Sequence, residues 1–300
     1  MKVFISTSTF AENDQEPLIR LRKKGITFDF NPHKRKLSED EITGFLKKDS
    51  YVGLLAGTEP LTEGVLKSSK VLKVISRIGV GLDNLDLKAA KKLKIKVFNT
   101  PGVLTDSVAE LTLGLILSCL RKIALMDRKI RQKVWSKEMG LLLRDKTLGL
   151  IGFGRIGRRV AELAKVFGAK VIFYDQMPIR SIIAKKVSLD ALLKNSDIIS
   201  VHASSKDCLI NASEIKKMKQ GAVLINTSRG SAVEENSLLQ GLKSGKIAFA
   251  GLDVFEQEPY YGALVNLDNV VLTPHVGSYA KEARIKMELA AVENLLKGLK

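Results

Sequence analysis

The 300-residue sequence has few cysteines and no long apolar run, and each scarcity excludes a class of protein. Two cysteines, Cys119 and Cys208, cannot form the disulfide framework of a small secreted domain, so we expect a reducing, cytoplasmic compartment. The most apolar later stretch, residues 111–120, is too short to span a bilayer and predicts a buried helix. The apolar start, residues 1–10, is too short for a signal peptide and predicts a first strand.

Acidic residues are also scarce relative to basic ones, with 49 Lys and Arg against 32 Asp and Glu, giving a net charge of +17. Such a charge is compatible with nucleic acid, an anionic membrane surface or acidic small molecules as partners. The densest basic run, residues 33–36, directly precedes a helix start, and the other basic residues are scattered without interleaved aromatics. A solvated basic surface is therefore the favoured interpretation, and we expect neither a nucleic-acid nor a membrane partner.

Strand and helix patterns alternate over residues 2–98, which predicts a parallel sheet covered on both faces. The helix predicted from residue 38 starts with Ser38 and Glu41 at the spacing of a capping box. The alternation breaks at the turn-rich residues 99–102, which we interpret as a crossover between two domains. The predicted domains are residues 1–98 with 277–300, and residues 99–276.

The second predicted domain opens with a long helix over residues 105–122. The basic residues 121–144 follow, contain the only Trp of the chain, Trp135, and show no strand pattern. We leave two interpretations open for this segment, an arm that packs on a partner subunit and a surface excursion. Six strands are then predicted, within residues 147–151, 171–174, 198–202, 222–226, 248–253 and 270–273, and a helix over 279–299 follows.

The most informative stretch is residues 146–175, which read KTLGLIGFGRIGRRVAELAKVFGAKVIFYD. A short apolar strand leads into Gly152, Gly154 and Gly157, which form a G-x-G-x-x-G turn before an amphipathic helix. In a dinucleotide site the first glycine permits the tight turn, the second lets the backbone approach the pyrophosphate, and the third lets helix and strand pack closely. The helix N-terminus then offers N–H groups and a positive dipole to the phosphates.

An acid follows the second strand of this stretch, at Asp175. A carboxylate at that position can accept hydrogen bonds from the ribose hydroxyls and would repel the 2′-phosphate of NADP. The sequence therefore favours NAD, although Arg180 lies nearby in the sequence.

Three reactive side chains follow predicted strands of the same sheet. Arg229 follows the strand that ends at Asn226, Glu258 follows the one that ends at Asp253, and His275 follows the last strand. Because the carboxyl ends of parallel strands meet at one edge of a sheet, all three are predicted to lie near the glycine turn.

The chain resembles the D-2-hydroxyacid dehydrogenase family over nearly its whole length. Besides the glycine turn and the segments of the three reactive residues, the resemblance rests on these stretches: residues 76–84 (SRIGVGLDN), 99–102 (NTPG), 107–112 (SVAELT) and 226–230 (NTSRG). It implies an α/β fold with two doubly wound parallel-sheet domains, in which a Rossmann NAD-binding domain is inserted in a flavodoxin-like substrate domain. It also implies an NAD-dependent enzyme that interconverts a small D-2-hydroxy acid and its 2-keto acid.

The resemblance also implies roles for individual residues. His275 would be the acid–base catalyst, Glu258 would hold the other ring nitrogen of His275, and Arg229 would bind the substrate carboxylate. Substrate-binding N–H groups would come from the other domain, at Gly79, Val80 and Gly81. Cofactor-binding positions are expected as follows: Gly152, Gly154, Arg155, Ile156, Gly157, Asp175, His202, Thr227 and Asp253, with Asp253 accepting from the nicotinamide amide. We expect Glu256 to be a surface residue, His33 and His202 to be non-catalytic, and no metal to be bound.

Two segments depart from the family pattern. Residues 203–208, AlaSerSerLysAspCys, are shorter than the usual loop over the adenosine, and residues 56–59, AlaGlyThrGlu, replace an Arg-Ser pair of phosphoglycerate dehydrogenases. A phosphoglycerate dehydrogenase-like activity is the leading prediction, with hydroxypyruvate or glyoxylate reduction second. An NAD-sensing protein like the corepressors that share this fold is a third alternative. A homodimer is expected from the family.

Overall fold

The computed structural model describes residues 1–203 and 207–300, and these divide into two compact units. The first unit comprises Met1–Leu104 with Ser278–Lys300, and the second comprises Thr105–Gly277. The sequence suggests boundaries after residues 98 and 276 instead. Residues 99–104 stay with the first unit, where the Thr100 N–H donates to the Gly79 carbonyl at 2.9 Å and the Gly79 N–H donates to the Thr100 hydroxyl at 3.1 Å.

Strands and helices alternate in the first unit, as the sequence predicts. Its elements are β1 Lys2–Ile5, α1 Glu16–Lys23, β2 Thr27–Phe30, α2 Glu39–Lys48, β3 Tyr51–Ala56, α3 Glu63–Ser68, β4 Val74–Arg77, α4 Leu87–Lys92 and β5 Lys96–Phe98. The strands form one parallel sheet in the order β2-β1-β3-β4-β5. The capping box is confirmed, since the Ser38 hydroxyl accepts from the Glu41 N–H while the Glu41 carboxylate accepts from the Ser38 N–H.

The second unit repeats the alternation after one long helix. Its elements are α5 Thr105–Arg121, α6 Ile123–Arg131, β6 Thr147–Ile151, α7 Arg155–Val166, β7 Lys170–Tyr174, β8 Lys185–Lys186, α8 Leu189–Asn195, β9 Ile198–Val201, α9 Ala212–Lys217, β10 Ala222–Asn226, α10 Glu235–Lys243, β11 Ile247–Leu252 and β12 Val270–Leu272. The helix α11, Lys281–Leu299, follows and belongs to the first unit.

The sheet of the second unit is parallel, with the order β12-β11-β10-β9-β6-β7-β8. Alternate residues of its strands enter two apolar clusters, because successive side chains of a strand point to opposite faces. Val223 and Ile225 pack in the cluster that contains α5 and α7, whereas Leu224 packs in the cluster that contains α8, α9 and α10. The predicted class, two doubly wound parallel-sheet domains, is therefore confirmed.

Two details of the second unit differ from the prediction. The described part of the sheet has seven strands rather than six, because the two-residue strand β8 adds to the edge beside β7. The basic segment after α5 begins with a further helix, α6. Lys122 takes a left-handed conformation with a φ of 54°, which ends α5 and allows α6 to start in a new direction.

We expect Gly53→Ala to destabilise the first unit, because a Cβ at Gly53 would lie 2.7 Å from both Leu295 Cδ1 and Val3 Cγ1. Overpacking of this kind lowers the free energy of unfolding by about 1–3 kcal/mol. The matched control is Gly44→Ala in α2, where nothing lies within 4 Å of the new Cβ, and a gain of about 0.5–1 kcal/mol is expected there. Urea denaturation of both variants measures the difference, and an unchanged Gly53→Ala protein would contradict the close packing.

Candidate active site

The candidate site lies at one edge of the second unit's sheet, where five neighbouring parallel strands end. The glycine turn follows β6, His202 follows β9, Arg229 follows β10, Glu258 follows β11 and His275 follows β12. The strand order of the sheet reverses between β6 and β9, which is the point where open α/β sheets bind ligands. The structure thus brings the predicted catalytic and cofactor residues of this unit to one edge.

The three glycines of the turn fit the three roles predicted for them. Gly152 has a φ of +93°, and a Cβ there would lie 2.6 Å from the Ala203 nitrogen. A Cβ on Gly157 would lie 2.3 Å from the Gly152 carbonyl oxygen, so helix α7 packs directly on the turn. At Gly154 nothing lies within 4 Å of an added Cβ, which leaves the backbone open to a close ligand.

Helix α7 begins at Arg155 with its N-terminus toward this open space. Among the described residues no side chain caps the helix, and its first turn contains no acid. The N–H groups of the first turn, including those of Arg155 and Ile156, are therefore available to an anion, and the helix dipole favours one. These residues fit the pyrophosphate of a dinucleotide.

Asp175 at the end of β7 is held beside the same turn. One carboxylate oxygen accepts from the Phe153 N–H at 2.7 Å, and the other accepts from the Met177 N–H at 2.8 Å. A carboxylate has about four acceptor positions, so further acceptor capacity remains for ribose hydroxyls. Binding of the ribose by Asp175 stays a prediction, and the structure adds that Asp175 also fixes the glycine turn.

His202 and Thr227 are polar residues at this sheet edge, and the side chain of each lies within hydrogen-bond distance of another side chain of the same unit. The His202 Nε2 lies 2.9 Å from the Ser200 hydroxyl, and desolvation lowers the pKa of His202 to about 4. His202 is therefore neutral at neutral pH, and its non-catalytic role stays a prediction. The hydroxyl of Thr227 lies 2.9 Å from that of Thr112 on α5. Contact of His202 and Thr227 with the cofactor stays a prediction.

Asp253, at the end of β11, organises the loop that carries His275. Its carboxylate accepts from the Thr273 hydroxyl at 2.6 Å, from the Val276 N–H at 2.8 Å and from the Gly277 N–H at 2.9 Å. These donors lie on both sides of His275, which has an unusual positive φ of 55°. The sequence predicts a nicotinamide contact for Asp253, and that contact stays a prediction. The loop-anchoring role was not foreseen.

Glu258 and His275 are in direct hydrogen-bond contact. The Glu258 Oε2 lies 2.8 Å from the His275 Nδ1, and the Glu258 Oε1 accepts from the Phe255 N–H at 3.1 Å. Both carboxylate oxygens are thus oriented, and Nδ1 is taken by the carboxylate. The imidazole remains half-exposed, with 50% of its side chain accessible, so Nε2 is the nitrogen that can meet a substrate.

The turn that carries Arg229 is fixed by Asn226. The Asn226 side-chain oxygen accepts from the Ser228 N–H at 3.0 Å, and its amide nitrogen donates to the Arg229 carbonyl at 2.8 Å. The Arg229 Nη1 donates to the Ser228 carbonyl at 2.8 Å. Sequence reasoning missed the role of Asn226, although an Asn two residues before a Ser after a strand is a signal for such a turn.

Gly230 connects the turn of Arg229 to the segment of Glu258. A Cβ on Gly230 would lie 1.9 Å from the Phe255 carbonyl carbon and 2.3 Å from the Glu256 nitrogen, so only glycine fits at this approach. Glu256 itself is exposed, as predicted. The positions of Arg229 and Glu258 are therefore coupled through backbone contact.

The predicted substrate loop lies in the first unit, directly after β4. The Gly79 N–H donates to the Thr100 hydroxyl at 3.1 Å, so it is engaged within its own unit. Val80 is exposed, Gly81 is half-buried, and the Val80 carbonyl accepts from the Asn99 side chain at 2.8 Å. We therefore assign the expected N–H donors to Val80 and Gly81 as a prediction, rather than to Gly79.

The remaining predictions concern residues outside this edge. Cys119 is buried, which raises the pKa of its thiol to about 12, and Cys208 is exposed. Over residues 1–203 and 207–300, no His, Cys, Asp and Glu side chains group as metal ligands, and no helix is long and apolar enough to cross a membrane. The shortened loop predicted over the adenosine falls mainly on residues 204–206, which lie outside the described residues.

Comparison with known proteins places this chain in a family. Residues 113–277 match the family model described as "D-isomer specific 2-hydroxyacid dehydrogenase, NAD binding domain". The chain is 42% identical over 273 residues to hydroxypyruvate reductase from Thermotoga maritima, covering 88% of this chain and 89% of that protein. It is 44% identical over 265 residues to glyoxylate reductase from Thermococcus litoralis, with coverages of 83% and 80%.

A longer relative and a solved structure agree with this assignment. The chain is 37% identical over 299 residues to D-3-phosphoglycerate dehydrogenase from Archaeoglobus fulgidus, covering 95% of this chain and 56% of that protein. The crystal structure of the TT0316 protein from Thermus thermophilus superposes with a TM-score of 0.92 at 36% identity, covering 100% of this chain and 97% of that one. The chain therefore belongs to the D-isomer specific 2-hydroxyacid dehydrogenase family, as an NAD-dependent oxidoreductase that acts on small 2-hydroxy and 2-keto acids.

Proposed function

We propose that this enzyme reduces a small unphosphorylated 2-keto acid, hydroxypyruvate or glyoxylate, with NADH. The observation that carries the catalytic part is the pairing of His275 with Glu258 at 2.8 Å, beside the Arg229 turn and the glycine turn. An imidazole oriented by a carboxylate, with a guanidinium on a turn at the same sheet edge, is the set that carbonyl reduction of an acid requires.

When bound at the glycine turn and the N-terminus of α7, NADH would supply the hydride that the carbonyl carbon receives. His275 donates a proton from Nε2 to the carbonyl oxygen, so that the carbonyl group becomes an alcohol, primary from glyoxylate and secondary from hydroxypyruvate. Glu258 accepts from Nδ1, which fixes the ring orientation and stabilises the imidazolium before the proton leaves. Arg229 binds the substrate carboxylate, for which its planar set of donors is suited. In the oxidative direction His275 takes the proton back.

Two observations favour an unphosphorylated substrate over the predicted phosphoglycerate. The relatives at 42% and 44% identity are a hydroxypyruvate reductase and a glyoxylate reductase. The loop after β3 has Glu59 where phosphoglycerate dehydrogenases have an Arg-Ser pair, and this carboxyl is buried and hydrogen-bonded to the Ser6 hydroxyl and the Gly57 N–H. Desolvation raises the pKa of Glu59. An acid in that loop offers a phosphate no bidentate partner.

Phosphohydroxypyruvate, the keto acid of the activity that leads the sequence-based prediction, becomes the second candidate substrate. The phosphoglycerate dehydrogenase relative matches 95% of this chain, and the net charge of +17 would attract a phosphorylated acid.

A panel of keto acids separates these candidates. We expect NADH to be consumed with glyoxylate and hydroxypyruvate, with kcat/KM for phosphohydroxypyruvate at least about tenfold lower, a difference of roughly 1.4 kcal/mol. Absorbance assays of NADH with pyruvate and bulkier keto acids complete the panel. A preference for phosphohydroxypyruvate would overturn the substrate proposal. NADH binding with no turnover on any acid would favour the corepressor-like alternative over an enzyme.

We expect Arg229→Ala to raise KM for the keto acid and lower kcat, by about 100-fold or more in kcat/KM, because a charged donor to the carboxylate is lost. NADH affinity, measured by fluorescence titration, is expected to change less than about threefold. An equal loss of NADH binding would argue that Arg229 serves the cofactor instead.

We also propose a homodimer formed through the segment that follows α5. Large apolar side chains of residues 130–142 are exposed, with Trp135 at 86% and Met139 at 87% accessibility. Ile130, Val134, Leu141 and Leu142 are exposed in the same segment. Exposed apolar patches of this kind mark interaction sites, and twofold pairs are the commonest assembly. The cytoplasmic location suggested by the cysteine content stays a prediction.

The dimer is tested by light scattering, which is expected to give about twice the chain mass of 33.0 kDa. The double variant Trp135→Glu with Met139→Glu is expected to give the monomer mass, because two charges would have to be buried. Ile182→Glu is the matched control, since Ile182 is an equally exposed apolar residue outside the segment. A parent protein of monomer mass, or a double variant that stays dimeric, would contradict this interface.

A further inference from the structure

A hydrogen bond joins residues 254–266, the segment that contains Glu258, to helix α10. The Tyr260 hydroxyl donates to the Glu235 Oε1 at 2.6 Å and accepts from the Leu264 N–H at 3.2 Å. Glu235 is the first residue of α10, where the helix dipole favours its negative charge. One hydroxyl thus joins the start of a helix to both ends of the turn that follows Glu258.

This hydrogen bond is partly buried. A Cβ on Gly262 would lie 2.4 Å from the Tyr260 hydroxyl oxygen and 2.7 Å from the Glu235 Oε1, so the Gly262 backbone packs against the bond. Burial and the Glu235 carboxylate raise the pKa of Tyr260 to about 12, which keeps the phenol protonated as a donor. A charge-assisted bond that is partly shielded from water is stronger than a fully exposed one.

The Tyr260 ring contacts Phe255, and Phe255 in turn contacts Glu258. The two rings stack with centroids 4.2 Å apart and an interplanar angle of 17°. The Phe255 N–H in turn donates to the Glu258 Oε1 at 3.1 Å, which leaves Oε2 directed at His275. The same Phe255 backbone packs on Gly230, next to Arg229. A continuous set of contacts therefore runs from Glu235 to the imidazole.

We propose that Tyr260 and Glu235 are positioning residues for the reaction, which hold Phe255 so that the Glu258 carboxylate stays aligned with His275. The inference rests on the proposed catalytic role of His275 and Glu258. Neither Tyr260 nor Glu235 contacts the reacting atoms. They act by restricting the segment of residues 254–266 to one position, and small displacements of a hydrogen-bonding partner at an active site reduce the rate strongly.

Removing the hydroxyl in Tyr260→Phe keeps the ring stack and deletes the bond to Glu235. We expect kcat for hydroxypyruvate to fall about fivefold, the change that corresponds to losing one hydrogen bond of ordinary strength. NADH affinity is expected to stay within about twofold, because the glycine turn is untouched. Tyr261→Phe is the matched control, since Tyr261 is 87% exposed, and it should behave as the parent protein.

Glu235 provides a second pair of variants, which keeps the test decisive if Tyr260→Phe folds poorly. Glu235→Gln retains an oxygen that accepts from the Tyr260 hydroxyl, so kcat is expected to stay within about twofold of the parent. Glu235→Ala loses the acceptor and should match Tyr260→Phe. Thermal unfolding of each variant identifies any that is unfolded at the assay temperature.

A spectroscopic measurement separates positioning from general destabilisation. The hydrogen bond between the His275 Nδ1–H and the Glu258 carboxylate moves the NMR resonance of that proton downfield, so a displaced carboxylate should move it upfield in Tyr260→Phe and in Glu235→Ala. Glu235→Gln should keep the parent chemical shift.

This NMR comparison needs no turnover, and it is tractable because the chain has only three histidines. An upfield shift of the His275 proton in Tyr260→Phe and Glu235→Ala but not in Glu235→Gln supports the proposal. Equal chemical shifts in all variants overturn it, whether or not kcat falls. If the parent itself reduces no keto acid, the proposed function fails, and the chemical shifts still decide the positioning role.

Discussion

The in-register pairing of β10, β11 and β12 is the constraint on which the site depends. Asn226, Leu252 and Leu272 pair across the three strands, so each strand reaches the sheet edge at the same level. Neighbouring strands lie about 4.8 Å apart, so the turns after them begin within roughly 10 Å of each other. A guanidinium, a carboxylate and an imidazole from distant parts of the chain can then meet without any long connecting loop.

The features that depend on local patterns are predictable from the amino-acid sequence. Alternating apolar runs indicate the parallel strands, and Arg229, Glu258 and His275 stand out because each follows the end of such a run. The steric roles of the three glycines in the β6–α7 turn are also predictable, since each role follows from a missing Cβ. Helix α6 and strand β8 are not predicted, since α6 buries no side chain of its own and β8 is only two residues long.

The contacts that align the site are not predictable in the same way. The Gly230 approach to Phe255, the three donors to Asp253 and the Tyr260–Glu235 bond join residues 20 to 25 positions apart on separate turns. Residue type alone does not reveal such pairings, because a glycine, an aspartate or a tyrosine after a strand has many ordinary uses. The substrate cannot be predicted from the sequence for a similar reason. It depends on short loops such as residues 56–59, whose residue types argue against some substrates without identifying the one that binds.

The low pKa of His202 affects how the enzyme responds to its surroundings. With a pKa of about 4, this ring carries no charge at any pH near neutrality. In the predicted binding mode, His202 therefore adds no charge of its own beside the dinucleotide near neutral pH. A response of cofactor binding to acidity in that range would have to come from other groups, so this ring separates the polarity of the sheet edge from its charge.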